Sequence, residues 1–356
     1  MRQRRVLKGP GLHGAMLAVV LALSAACGTS TSQERAPHDA PTGHAGSDAI
    51  AAAHPRTITL VAIGDLMLAR DIVTLMDRYG AIYPFENVAP ILSDADITVA
   101  NLEGTFTEGG TPADKKYVFR TPPRDAAGLA TAGIDVVSLA NNHTLDFGPG
   151  GLRDTIATLD TVGIAHSGAG ENDAAARRPA ILEVRGLRVA FLCYAATPDA
   201  VAAALGVDGV AWGTVDTISE DVRRAVEQAD LVVVSLHAGN EYADEPSDTQ
   251  RPLAQAALDA GATLVLGHHP HVLQRWERLG PSFIAYSLGN FVFDLDEDDL
   301  AQLVPAPFQT VALKIHVSAS GVEKVEPIPI YIDPQEDRPR PARPAEAKAI
   351  LDRIVY

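Results

Sequence analysis

The stretch TITLVAIGD, residues 57–65, reads as a buried strand: apolar and β-branched, uncharged until Asp65, with Gly64 just before the carboxylate. Four further runs repeat that design. Residues 96–100 (DITVA) lead into Asn101 and Glu103, and residues 136–140 (VVSLA) into Asn141, Asn142 and His143. Residues 231–236 (LVVVSL) lead into His237, and residues 263–267 (TLVLG) into His268, His269 and His271. In an α/β protein the carboxyl ends of neighbouring strands converge on one crevice, so these distant residues can share a pocket. Imidazole, carboxylate and carboxamide together are the ligand set of a catalytic metal site. A polar residue at one strand end is commonplace. Five ends with ligand chemistry favour a common site.

Between the strands, helical spacing marks residues 71–79, 85–92, 123–132, 151–162, 221–229 and 252–260, which gives βαβ units. Two regions break the alternation. Residues 180–194 read as strand, turn at Arg185 and Gly186, strand. Past Ser282, residues 283–287, 311–317 and 322–332 are strands with little helix between them. The expected fold is α/β with mixed sheets, two sheets packed together and helices outside, rather than one doubly wound sheet. The folded domain is expected over 57–335, followed by a Pro- and charge-rich tail over 336–356 with a last helix near 345–355.

The amino terminus has a different character. Arg2, Arg4, Arg5 and Lys8 precede the apolar run AMLAVVLAL at 15–23, and small residues precede Cys27. That order is a secretory signal over 1–27, too short to span a bilayer. Cys27 after small residues resembles a bacterial lipoprotein site, which implies acylation and a lipid anchor on the outer face of the cytoplasmic membrane. Ser24, where that motif usually has Leu, keeps ordinary cleavage open. Residues 28–56 are a flexible tether, and His38, His44 and His54 within it read as solvated. Cys193, the other cysteine, lies in the apolar run VAFLCY and reads as a small buried hydrophobe.

The formal net charge is −16, and the first 26 residues hold four of the 29 basic groups and none of the 45 acidic ones. The remainder thus sets 25 basic against 45 acidic groups, a balance of −20. That surface excludes nucleic acid as a partner.

In order, the strand-end segments are GDLMLAR (64–70), NLEG (101–104), ANNHTLDFG (140–148), HAGNEY (237–242), GHHPHVLQ (267–274) and YSLGNFVFD (286–294). Six motifs in this order resemble the CapA family of bacterial capsule and poly-γ-glutamate synthesis proteins, also called the PgsA-type or PGA_cap family, over about residues 58–293. The resemblance implies the four-layer α/β/β/α sandwich of calcineurin-like metallophosphoesterases. It also implies divalent metal, one or two ions of Mn, Zn or Mg, at Asp65, Glu103, Asn142, His237, His269 and His271. His143 becomes a general acid. That group's second ligand, a His two residues after the first Asp, is Met67 here, and a thioether is a poor ligand for a hard cation.

The residues carry their own reading beside this. Side chains at i and i+2 of an extended segment point the same way, so His269 and His271 can hold one ion or two adjacent ones, with Pro270 stiffening the segment. Asp146 either fixes the His143 tautomer and keeps the ring protonated, or caps the following helix. Arg70 either neutralises an anionic substrate or pairs with Asp71 or a core carboxylate. Asn101, Glu241, Tyr242 and Asn290 are expected to line the substrate pocket. Two functions follow. One is a metal-dependent hydrolase acting on a phosphoester or related bond of a cell-envelope polymer or its carrier. The other is a non-catalytic subunit of a membrane polymer-synthesis complex.

Overall fold

The computed structural model describes residues 5–6, 56–295 and 306–354. Most of the signal, Cys27 and the tether histidines lie outside the described residues.

Two sheets share one middle layer. In the first, β1 (Thr57–Leu66), β2 (Ile97–Leu102), β3 (Val136–Ser138) and β4 (Ala165–Ser167) run parallel in sequence order. In the second, β5 (Ala180–Val184) and β6 (Leu187–Ala196) form a hairpin, and β6 runs parallel to β7 (Leu231–Ala238) and β8 (Leu264–His268). Its turn is at Arg185 and Gly186, where both residues have positive φ (50° and 76°), the conformation of a two-residue hairpin turn matched to strand twist. β9 (Trp276–Leu279) and β10 (Ser282–Ala285) complete that sheet, with residues 5–6 against β5. β11 (Asn290–Val292) crosses back to pair with β1, and β12 (Gln309–Ser318), β13 (Gly321–Asp333) and β14 (Arg338–Pro341) extend the first sheet antiparallel.

The period of two along each strand builds the layers. Ile58, Leu60 and Ala62 of β1 meet Val189, Phe191, Leu231 and Val233 in the core between the sheets. The alternate residues Val61 and Ile63 face α1 (Asp71–Tyr79), α2 (Ala127–Ala132) and α3 (Gly148–Val162) through Ile72, Met76, Leu129, Leu152 and Leu159. On the far side Leu192, Tyr194, Val232 and Val234 pack on α4 (Val215–Val226) and α5 (Gln250–Asp259). Order is therefore helices, sheet, sheet, helices, as expected. Cys193 is buried, which pushes its thiol up to about 12.

Two expectations need correction. The helix over 85–92 is only a short turn, Tyr83–Phe85, and a single helical turn, Ala89–Leu92. Pro90 has no N–H to give, so a helix accepts it only in its first turn and cannot extend upstream through it. The stretch set apart as a tail belongs to the fold: β14 pairs with β13, and α6 (Pro344–Ile354) buries Ile350 and Ile354 in the core between the sheets.

Residues 286–290 tie the two sheets together beside the carboxyl ends of β1 and β8. The Gly289 carbonyl accepts from Asp65 N at 3.0 Å, and Leu288 N donates to the Gly267 carbonyl at 3.1 Å. A Cβ on Gly64 would lie 1.9 Å from the Gly289 oxygen, and one on Gly267 1.9 Å from the Tyr286 oxygen. Neither glycine can carry a side chain while that crossing stays in place. Replacing Gly64→Ala is expected to lower the unfolding free energy by at least about 3 kcal/mol in urea titration. A loss under about 1 kcal/mol means the crossing is loose.

Candidate metal centre

The carboxyl ends of β1, β2 and β3 face those of β7 and β8 across this crossing. Asp65 is fully buried at the end of β1. Asn101 Nδ2 donates to its Oδ1 at 2.9 Å and the His269 backbone N–H to its Oδ2 at 3.3 Å. His268 Nδ1 lies 3.2 Å from Oδ1 and His271 Nδ1 3.5 Å from Oδ2. Burial pushes the Asp65 carboxyl up, but His268, by hydrogen bond and charge, outweighs it with His271 and Asn101, holding Asp65 below the usual carboxylate range.

Glu103 follows β2 and is equally buried, yet its Oε1 accepts no hydrogen bond from a described residue. His143 Nε2 stands 3.7 Å and His271 Nε2 3.8 Å from that oxygen. Burial, and then the charges of Asp65, Glu241 and Asp146, push the Glu103 carboxyl well up. His237, fully buried at the end of β7, places Nε2 2.8 Å from Asn142 Oδ1. Burial holds the His237 ring well below its ordinary value and brings His269 down to about 3, with neighbouring imidazoles adding to both. Two buried acids thus sit close to His237 and His269, whose rings are neutral. That set suits a divalent cation, which needs deprotonated donors.

Ligand-type atoms of Asp65, Glu103 and His237 lie within 4.8 Å of one another, as do those of Glu241, His269 and His271. The expected metal residues therefore come together, with Asn142 joined through His237. The tautomers are set from behind: Asn290 Oδ1 lies 2.8 Å from His271 Nδ1, which leaves Nε2 turned to Glu103. Asn290 and Asn101, expected to line a substrate pocket, are fully buried and orient His271 and Asp65 instead. Glu241 is exposed, and the Tyr242 ring centroid is 6.0 Å from that of His271.

His143 has its own support. Its Nδ1 is 2.8 Å from Asp146 Oδ2, and its ring stacks on Phe119 with centroids 4.1 Å apart. Asp146 also accepts from Phe119 N at 2.6 Å and pairs with Lys115 at 2.5 Å. Lys115 donates onward to the Asn142 carbonyl at 2.8 Å. Of the two readings of Asp146, tautomer fixing holds, since α3 starts without a side-chain cap. Its expected effect on charge does not hold: burial outweighs Asp146 and draws the His143 ring below its ordinary value, so the resting ring is neutral. Lys115 and Phe119 escaped the sequence reading because their loop, between the paired segments Thr105–Phe106 and Arg120–Thr121, shows no periodicity.

Arg70 is engaged elsewhere. Its Nε lies 3.2 Å from the core carboxylate Asp294, the alternative in which it pairs within the protein. Met67 is fully buried in an apolar cluster with Ala69, Phe119 and Phe293 and adds no donor for a hard cation.

The family model described as bacterial capsule synthesis protein PGA_cap matches residues 59–295. The chain is 33% identical over 299 residues to the capsule biosynthesis protein CapA of Bacillus anthracis, covering 81% of this chain and 70% of that protein. It is 32% identical over 285 residues to the PGA biosynthesis protein CapA of Bacillus subtilis, covering 79% and 73%. Among solved structures, the NAD nucleotidase of Haemophilus influenzae aligns at a TM-score of 0.47 with 14% identity, over 84% of this chain and 56% of that one.

Truncating Asp146→Ala leaves Lys115 and the Phe119 N–H facing an empty site, so a loss of about 3 kcal/mol is expected in urea titration. An unfolding midpoint equal to wild type means that network holds nothing.

Proposed function

The chain belongs to the bacterial capsule synthesis protein family PGA_cap, and from that premise we propose a metal-dependent hydrolase of a phosphoester or related bond in a cell-envelope polymer or its carrier. The observation that carries this reading is the buried pair Asp65 and Glu103, with an oxygen of Glu103 unpartnered and the rings of His143 and His271 turned toward it at 3.7 and 3.8 Å. A cation between the two would keep both ionised, where burial alone pushes Glu103 toward its neutral form. Asp65, Glu103, Asn142, His237, His269 and His271 are the residues that would hold it. Bound divalent ions supply Lewis-acid polarisation and a nucleophile at neutral pH.

The chain's own residues supply proton transfer and order. Asp146 fixes Nδ1 of His143, so Nε2 is the atom that exchanges a proton with the leaving oxygen. The ring is neutral at rest, and an anionic substrate beside it raises its affinity for the proton it then delivers. Lys115 holds the loop that carries Asn142 and His143 in register. The basic and apolar amino-terminal run and Cys27 support export and a lipid anchor, which would place the site outside the cytoplasmic membrane.

Met67 favours a second reading, a non-catalytic subunit of a membrane polymer-synthesis complex, because the position that resembles a ligand carries none. Purified chain given Mn²⁺, Zn²⁺ or Mg²⁺ separates the two on p-nitrophenyl phosphate and bis(p-nitrophenyl) phosphate. Ion-dependent turnover that falls at least about 100-fold in both His143→Ala and His269→Ala supports the hydrolase. Metal-free, inactive protein that still restores capsule to a deletion strain overturns it.

A further inference from the structure

We propose that Glu241 is a metal ligand that makes up for the donor missing at Met67, so the centre takes two divalent ions held by two separate triads. The inner triad is Asp65, Glu103 and His237; the outer one is Glu241, His269 and His271. This rests on the metal-binding reading above.

Four observations converge on the outer triad. Its donor atoms lie within 4.8 Å of one another. Two donors on one ion, each at about 2.0–2.2 Å, stand up to about 4.4 Å apart, so closure needs a shift of a few tenths of an ångström. Glu241, exposed on a loop, can make that shift.

His269 Nδ1 is the second observation. It is buried and meets no hydrogen-bond partner, in a ring that is only 6% exposed. A buried imidazole nitrogen without a partner costs about 1–3 kcal/mol unless something takes it.

The third is backbone strain. Tyr242, His269 and His271 all have positive φ, at 59°, 94° and 58°, in the two loops that bear the triad. Such conformations cost a non-glycine residue of order 1–3 kcal/mol each and persist where the surroundings over-determine them. Tyr242 N donates to the Pro270 carbonyl at 2.8 Å, which staples the Glu241 loop to the His269–His271 segment. Two of these residues, His269 and His271, carry triad donors, and the third, Tyr242, follows Glu241 directly.

Charge is the fourth. Asp65, Glu103 and Glu241 bring three negative charges to two divalent ions, leaving one positive charge for an anionic substrate group. Without Glu241 the outer ion would rest on neutral imidazoles alone. Met67 cannot help, because it lies packed against Phe119 and Phe293.

The test is Mn²⁺ binding by the chelator-stripped full chain, followed by calorimetry and by the electron paramagnetic resonance of the bound ions. His13, His38, His44 and His54 are replaced by Ala throughout, so that the segment before Thr57 adds no background. The parent chain is expected to bind two equivalents with the signal of a coupled pair. Glu241→Gln is expected to bind one, with an uncoupled signal, and Glu241→Asp to recover part of the second. Circular dichroism of the stripped variants checks that each is folded as the parent. Two equivalents in Glu241→Gln at unchanged affinity overturn the assignment of Glu241 and leave the proposed function standing. A single equivalent in the parent overturns the two-triad division. No binding by the parent overturns the metal reading itself.

Discussion

The centre exists because one segment crosses two sheets. Residues 286–290 pass over β1 at Gly64 and over β8 at Gly267, so closely that neither position has room for a Cβ. That passage fixes the Asp65 N–H on the Gly289 carbonyl and brings the end of one sheet against the end of the other. Asn290, the residue after it, then reaches His271 and sets its tautomer. A strand end alone gives an Asp or a His somewhere near a rim. The crossing turns two rims into one pocket and fixes the distance between them.

Around that pocket, several of the polar side chains are held by a second polar group. Asn101 holds Asp65, Asn141 donates to Asn101 at 3.1 Å, Asn290 holds His271, and Asp146 holds His143. Amides suit this task. They give and accept one bond each without adding charge to a buried site that already holds two acids. The apolar cluster of Met67, Phe119 and Phe293 forms another wall, with Phe119 stacked on His143 and Phe293 5.0 Å from the His271 ring. Packing and hydrogen bonding thus fix the rings of His143 and His271.

Much of this was legible in the sequence, for a physical reason. A strand buried on both faces must be apolar along its length, so the first polar residue marks where it leaves the core. Asp65, Glu103, His143, His237 and His269 were readable on that ground. The roles of Asn101 and Asn290 were not, because an amide's function depends on what lies opposite, across contacts of 36 and 19 residues. Lys115 sits in an aperiodic loop beside Lys116 and is singled out only by where that loop folds. The charge of His143 was misread because a neighbouring Asp146 can be read from spacing, while the desolvation that outweighs it cannot. Residues 336–354 looked like a tail because proline and charge hide Ile350 and Ile354, whose burial depends on a helix docking between distant strands.

The asymmetry of the pocket follows from Met67. Where a polar side chain would extend the donor set from β1, a thioether packs in an apolar cluster. The opposite side is built from the loops after β7 and β8, which carry exposed Glu241 and the strained residues Tyr242, His269 and His271. Strain collects where the backbone is bent to aim side chains, and three strained residues lie in these two loops. The inner acids Asp65 and Glu103, by contrast, have no positive φ themselves. The pocket therefore has a rigid floor, set by sheet geometry and buried amides, and a mouth whose shape depends on two short loops stapled by one backbone hydrogen bond. Those loops bring exposure, charge and strain together beside the buried acids.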